Sequence, residues 1–290
     1  MLDIGIFAPY GTDHDRNISY CHDTDVRHIL FSTGNFADKE GDGVPDPGPL
    51  KEAVARYSAN GIILAGLTPP RVSMAAIQDA SVRKEELDLL GRVIDGMGEA
   101  GIPYVHFYLN VDPLPSEADR PKLWESLTDI YRILGERAES AGVKISTHTY
   151  HKPDRLLWNG DTMADLIEGA ASAHHGLTFC QGKSELAGDN LPDTIRRFGD
   201  RVFMVHLRDI VTKVEGHVDK KTQERLAQYG YLEVPFGEGE CDMPGTIKAL
   251  KDVGYTGQLY PEHYPSIAGD RAAGLAWTIG YIRALDQLVI

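Results

Sequence analysis

The chain has 290 residues, 42% hydrophobic and 25% charged, enough apolar material for a buried core and a composition that excludes disordered and collagen-like classes. A formal net charge of -14 with no basic run opposes nucleic-acid binding, and no apolar stretch approaches the roughly 20 residues a membrane helix needs. The start Met1-Leu2-Asp3-Ile4 carries no basic leader, so the expected location is the cytoplasm, where the widely spaced Cys21, Cys180 and Cys241 stay reduced rather than forming a disulfide framework.

Along the chain, short runs of β-branched and aromatic residues alternate with longer segments of helical periodicity, and the cycle recurs eight times. The spacing predicts strands over 2–8, 26–33, 61–67, 102–110, 143–149, 176–180, 201–207 and 257–262. After the third, Leu87, Leu90, Ile94 and Met97 recur at helical spacing over 83–99, and Gly101 stops the helix. The segment 123–139 repeats the pattern, with Leu127, Ile130, Ile133, Leu134 and Ala138 on one face and Gly142 as its stop. A last helix over 272–288 ends the series. Strands joined through helical crossovers run parallel, and eight such units close into a (β/α)8 TIM barrel, one domain spanning 1–290. Two stretches exceed the short connections: 34–49, rich in Gly, Pro and Asp, and 208–242, with a charged centre at 219–225. Both follow strands, whose C-terminal ends form the active-site face of a barrel, so both are candidate lids.

Four residues able to bind a metal ion stand at the ends of strands five to eight: His148, Cys180, His206 and Glu262. Adjacent barrel strands bring side chains of one height to one point, and imidazole, thiolate and carboxylate together suit a divalent transition ion. A single buried Cys or strand-end His is common packing material. Recurrence at equivalent places in four successive units is what points to a metal centre. Tyr150 and His151, at the end of strand five, are candidate contacts to substrate hydroxyls, with His151 also a candidate second acid. His106 and Tyr108 on strand four alternate with Phe107, so either this pair faces the barrel as substrate contacts and Phe107 packs on a helix, or the reverse. Gly237-Glu-Gly-Glu, before Asp242, reads as turn chemistry and lacks the signature of a phosphate loop.

The run Gly176-Leu-Thr-Phe-Cys, then Asp189-Asn-Leu-Pro, then Arg201-Val-Phe-Met-Val-His-Leu-Arg, with Pro261-Glu-His and a Gly-Leu-Ala segment in the final helix, resembles mannonate dehydratase, within the wider xylose isomerase-like barrels. The likeness extends upstream to Glu99-Ala-Gly-Ile-Pro and is more specific in the second half of the chain than in the first. It implies that His148, Cys180 and His206 fall on the family's metal positions and Glu262 on its last ligand, and that the ion is Mn2+. It also implies that His263 matches a catalytic His that takes or gives a proton. The soft Cys180 thiolate suits Zn2+ or Fe2+ as well, and Co2+ is a further candidate. Arg208, just past His206, is placed either to pair bidentately with a substrate carboxylate or to form a rim salt bridge. Glu262 stands where the dehydratases have Asp, as in related sugar epimerases, and the Tyr expected before the final helix is absent, since the chain reads Ala268-Gly-Asp-Arg.

The first expectation is therefore a metal-dependent lyase of mannonate dehydratase type, removing water from a sugar acid or similar polyhydroxy acid. The second keeps the metal and exchanges dehydration for isomerisation or epimerisation of a ketose. A third, a barrel without catalysis that serves as a binding subunit, is opposed by the complete ligand set. The expected partner is a small-molecule substrate, and pairing into a homo-oligomer is what the resemblance implies.

Overall fold

Parallel strands under a layer of helices are buried on both faces, and the strands of this chain are short, apolar and inaccessible accordingly. In chain order they are β1 (Asp3–Phe7), β2 (His28–Ser32), β3 (Ile63–Thr68), β4 (Tyr104–Tyr108), β5 (Lys144–His148), β6 (His175–Cys180), β7 (Val202–Leu207), β8 (Asp209–Val211), β9 (Leu232–Val234) and β10 (Gln258–Pro261). Eight of them close in the order β1-β10-β7-β6-β5-β4-β3-β2, all parallel, which is the (β/α)8 barrel expected from the alternation. The remaining two, β8 and β9, pair antiparallel outside it. The computed structural model describes residues 1–37, 42–108, 112–214 and 219–290, without the Tyr108 side chain. The end of the expected fourth strand, 109–110, and parts of the two candidate lids, 38–41 and 215–218, lie outside the described residues.

Helix ends follow local chemistry. Asp79 starts the helix Ala80–Ala100 by accepting hydrogen bonds from the Ser81 and Val82 amides, and Gly101 ends it at φ 75°, a left-handed conformation that glycine adopts without a Cβ penalty. The helix Arg120–Ala141 ends in the same way at Gly142, φ 68°. Ile133, expected on its apolar face, is exposed; the buried stripe is rotated away from it, running through Leu127, Ile130, Leu134 and Ala138 and taking in Tyr131 and Gly135. The last helix, Arg271–Leu288, packs Leu275, Ile279 and Ile282 inward. Among the described residues no helix is long and apolar enough to cross a membrane.

Most of the core lies between strands and helices, while the barrel interior holds a stack of its own. Its floor is Leu30, Met204 and Tyr260 with Phe7 and Tyr104. Further along the strands, His106, Ser146 and Thr178 form a buried polar layer, with Thr178 Oγ1 3.0 Å from His106 Nδ1 and 2.6 Å from Ser146 Oγ. The phase of β4 is thereby settled: His106 faces the barrel, and Phe107 packs outward against Tyr131.

Both candidate lids contain more structure than a loop. The first is cut short by the helix Pro47–Ala59, which Asp46 caps and prolines in its first turn pre-organise. Its described residues line no part of the cavity in the barrel mouth. The second folds into β8, the helix Lys220–Tyr229 and β9, a hairpin that brings Tyr229 and Tyr231 to that cavity. Asp209 anchors its base: one carboxylate oxygen accepts from the Gly237 and Gly239 amides at 2.9 Å each, and the other from Cys241 at 3.3 Å. The two glycine amides of Gly237-Glu-Gly-Glu are thus filled by the chain's own carboxylate, and the two glutamate amides by the Pro235 and Ile210 carbonyls, in keeping with a structural turn.

Candidate active site

Three of the four expected donors meet where the strands end, with His206 beside them. Cys180 on β6 and Tyr260 on β10 register with His206 on β7, and Glu262 continues β10 with its amide donating to the Leu207 carbonyl at 2.8 Å. His148 closes β5. Ligand atoms of His148, Cys180 and Glu262 all lie within 4.8 Å of one another, and all three residues are buried. His206 stands outside that tightest group and joins it through Glu262, its Nδ1 3.5 Å from Oε2, with its ring 5.2 Å from that of His148. This spacing and donor chemistry fit a single ion held at the roughly 2.0–2.3 Å that imidazole, thiolate and carboxylate ligands take. His148 Nδ1 donates to the Thr149 carbonyl at 2.5 Å, an assignment that makes Nε2 its lone-pair nitrogen.

Burial sets the protonation states. It drives the pKa of His148 and His106 well below that of an ordinary histidine, so both imidazoles are neutral, the form a metal ligand takes. It also pushes the Cys180 thiol up, against the pull of Arg208, whose Nη2 donates to Sγ at 3.1 Å. Burial pushes Glu262 in the same direction, but His206 and Arg208 outweigh it and hold the carboxyl well below the usual range. Arg208 is only 2% exposed and reaches Glu262 and Glu233 at 3.6 Å each, so its guanidinium is committed to the chain's own groups. Gly182 makes room for it: a Cβ there would come within 2.8 Å of Arg208 Cγ.

Above the donors lies a cavity of about 350 Å³ whose walls include His148, Tyr150, Lys183, Arg208, Glu262 and His263. Larger clefts exist at Arg197 and Arg201 (490 Å³) and at the N-terminal rim near His28 (560 Å³), but neither carries a convergent donor set. His263 has φ 54°, rare for a residue with a Cβ, and its ring nitrogens lie 3.6 Å from Glu262 Oε1 and 3.8 Å from Glu233 Oε1. The expected substrate contacts separate: Tyr150 lines the cavity, His151 lies behind it, and His106 belongs to the polar layer inside the barrel. The backbone of Tyr108 pairs with His148, and its side chain is outside the described residues. Burial, with Lys183 next, holds the His151 pKa to about 3, which leaves it neutral and unsuited to act as the second acid.

Four residues on or beside this cavity carry no obvious mark in the sequence: Arg71, Lys183, Tyr231 and Glu233. Lys183 is the most unusual. Its Nζ is enclosed by His151 Nδ1 at 3.1 Å and Tyr231 Oη at 3.0 Å, and burial lowers its pKa to about 8. The available signal was its place in the first turn of the helix Gln181–Ala187, which starts directly at the end of β6 and so faces the mouth.

A sequence profile of the xylose isomerase-like TIM barrel family matches residues 30–285. Mannonate dehydratase from Oceanobacillus iheyensis is 26% identical over 185 residues, 58% of this chain and 50% of that protein, so the chain spans about half the length of the curated relatives it matches. Among solved structures, mannonate dehydratase from Streptococcus suis serotype 2 superimposes with a TM-score of 0.75 at 18% identity, covering 99% of this chain and 93% of that one. D-psicose 3-epimerase from Clostridium cellulolyticum H10, solved with D-tagatose, gives 0.73 at 14% identity with 99% of both chains covered. At these identities the structural likeness carries the fold alone. The profile match over most of the sequence, on a closed eight-stranded parallel barrel, makes the chain a member of the xylose isomerase-like TIM barrel family.

Proposed function

We propose that the protein is a divalent-metal-dependent hydro-lyase acting on a sugar acid. The carrying observation is the convergence of His148, Cys180 and Glu262, with His206 on Glu262, beneath a cavity that also presents Arg71, Lys183 and Arg208. Arg71 and Lys183 line this cavity beside Arg208, which already pairs with Glu262 and Glu233, and in a chain of net charge -14 this cationic lining favours an anionic substrate over a neutral ketose. His148, Cys180, His206 and Glu262 would hold the ion, Mn2+ by resemblance to mannonate dehydratases, and when bound it supplies Lewis-acid charge next to the substrate oxygens.

The chain's own groups handle the proton. His263, on the cavity wall beside Glu262 and Glu233, takes the proton from the carbon alpha to the substrate carboxylate. The electron pair left on that carbon forms the double bond as the β-hydroxyl departs, and the proton taken by His263 passes to the departing oxygen, so that water leaves and His263 returns to its starting state. The enol product then tautomerises to a keto-deoxy acid. Tyr229 and Tyr231, on the hairpin side of the cavity, cover the reacting atoms from bulk water.

A second reading, epimerisation, draws on Glu262 in place of Asp and on the missing Tyr at 268–271. One experiment tests both. Protein loaded with Mn2+ is offered aldonates and ketoses in deuterated water, beside His206→Ala and Glu262→Ala variants. The lyase reading expects a keto-deoxy acid from the aldonate, and loss of metal and turnover together in both variants. Unchanged metal content in the variants overturns the metal centre, and solvent deuterium in an isomeric sugar with no loss of water favours the epimerase.

A further inference from the structure

Lys183 is 7% exposed, yet no carboxylate among the described residues is paired with it. A buried cation without a counter-charge is costly, and it persists where something else supplies the negative charge. Its surroundings hold the ammonium without neutralising it. His151 Nδ1 and Tyr231 Oη accept from it at 3.1 and 3.0 Å, and the rings of Tyr150 and Tyr231 face it with centroids 4.9 and 4.8 Å away. An ammonium has three donors, of which two are used in this way. Lys183 also lines the barrel-mouth cavity.

The contrast is with Arg208, the residue whose type and position first suggest a carboxylate clamp. Its guanidinium is already held by Cys180 at 3.1 Å and lies 3.6 Å from both Glu233 and Glu262, and its stem is pressed against Gly182. We propose that Lys183 is the carboxylate-recognition residue of this site, its ammonium taking the acid group of a polyhydroxy-acid substrate whose hydroxyls face His148 and Glu262. This rests on the reading of the cavity as a sugar-acid site and names the residue that makes it one. Dehydration itself is a separate claim.

The test is calorimetric binding to the full-length, Mn2+-loaded protein, with D-mannonate, D-gluconate and D-glucuronate as probes, each beside a neutral counterpart in which CH2OH replaces the carboxylate. Wild-type protein is expected to prefer at least one acid over its neutral counterpart by at least about tenfold. Lys183→Met should remove most of that preference while leaving the neutral ligand's affinity within about twofold, and Lys183→Arg should restore part of it. Absence of any preference in the wild type overturns the proposal without reference to a variant. So does a Lys183→Met protein, with unchanged melting temperature and metal content, that binds the acid as the wild type does or loses acid and neutral ligand equally. An acid that binds through Lys183 and is never dehydrated supports the proposal and removes the lyase reading instead.

Discussion

At the scale of single residues, the site depends on side chains that are pinned by neighbours rather than by the reaction. Arg208 is the clearest case, because Gly182 leaves the space its stem occupies and Cys180 Sγ accepts its Nη2. Gly182 lies in a helical turn, so Ala is acceptable to the backbone, but the added methyl would lie 2.8 Å from Arg208 Cγ and 3.0 Å from Cδ, close to the fixed end of the side chain. Gly182→Ala should therefore displace the guanidinium from Cys180 and Glu262 while leaving the barrel folded. Groups that orient a metal's ligands are worth about 10- to 100-fold in affinity, and a loss of that order is expected in a competitive chelator titration, with metal affinity within about twofold of the wild type counting against it. The strained φ of 54° at His263 belongs to the same scale: it turns the ring back toward Glu262 and Glu233 directly after the strand that delivers Glu262.

At the scale of elements, the hairpin of β8 and β9 hangs on one buried carboxylate. Asp209→Ala would leave the Gly237, Gly239 and Cys241 amides without their acceptor. Each buried donor so orphaned costs about 1–3 kcal/mol, less where water can reach it, so a loss of about 3 kcal/mol is expected. Hydrogen exchange should localise the damage, accelerating at 231–241 while the amides of β4 to β7 keep their protection; uniform acceleration around the barrel would contradict a local latch. This hairpin is also what the sequence concealed. The barrel was readable because strands buried on both faces and helices with a 3.6-residue stripe leave strong periodic signals, and because parallel strands put His148, Cys180, His206 and Glu262 at one end. β8 and β9 have three residues each, too few for alternation to register, and Tyr231 and Glu233 reach the site through this long-range pairing. Lys183 was hidden for another reason: lysine in a short helix reads as solvated unless its neighbours in space are known.

At the scale of the whole molecule, buried neutral histidines tie stability to pH. His175 is fully buried, its Nε2 3.0 Å from Thr147 Oγ1 and its ring stacked on Tyr131 at 4.7 Å. Burial, aided by Arg201, holds its pKa to about 3, against 6.5 for the exposed group. Between these values the unfolded chain binds a proton that the folded chain refuses. The stabilisation is therefore complete above about pH 6.5 and is lost as pH falls toward 3, at up to about 1.4 kcal/mol per pH unit for one such group. Moving from pH 7.5 to 5.0 should cost about 2 kcal/mol from His175 alone. His175→Gln keeps a polar group of similar reach to Thr147 and cannot take up the proton. Its stability at pH 7.5 will drop through imperfect packing on Tyr131, so the informative quantity is the difference between the two pH values, taken from urea midpoints of metal-free protein at fixed ionic strength. That difference should shrink by about 2 kcal/mol in the variant. An equal acid sensitivity in wild type and variant would assign it to the other buried histidines, His106, His148 and His151, whose pKa values burial also lowers.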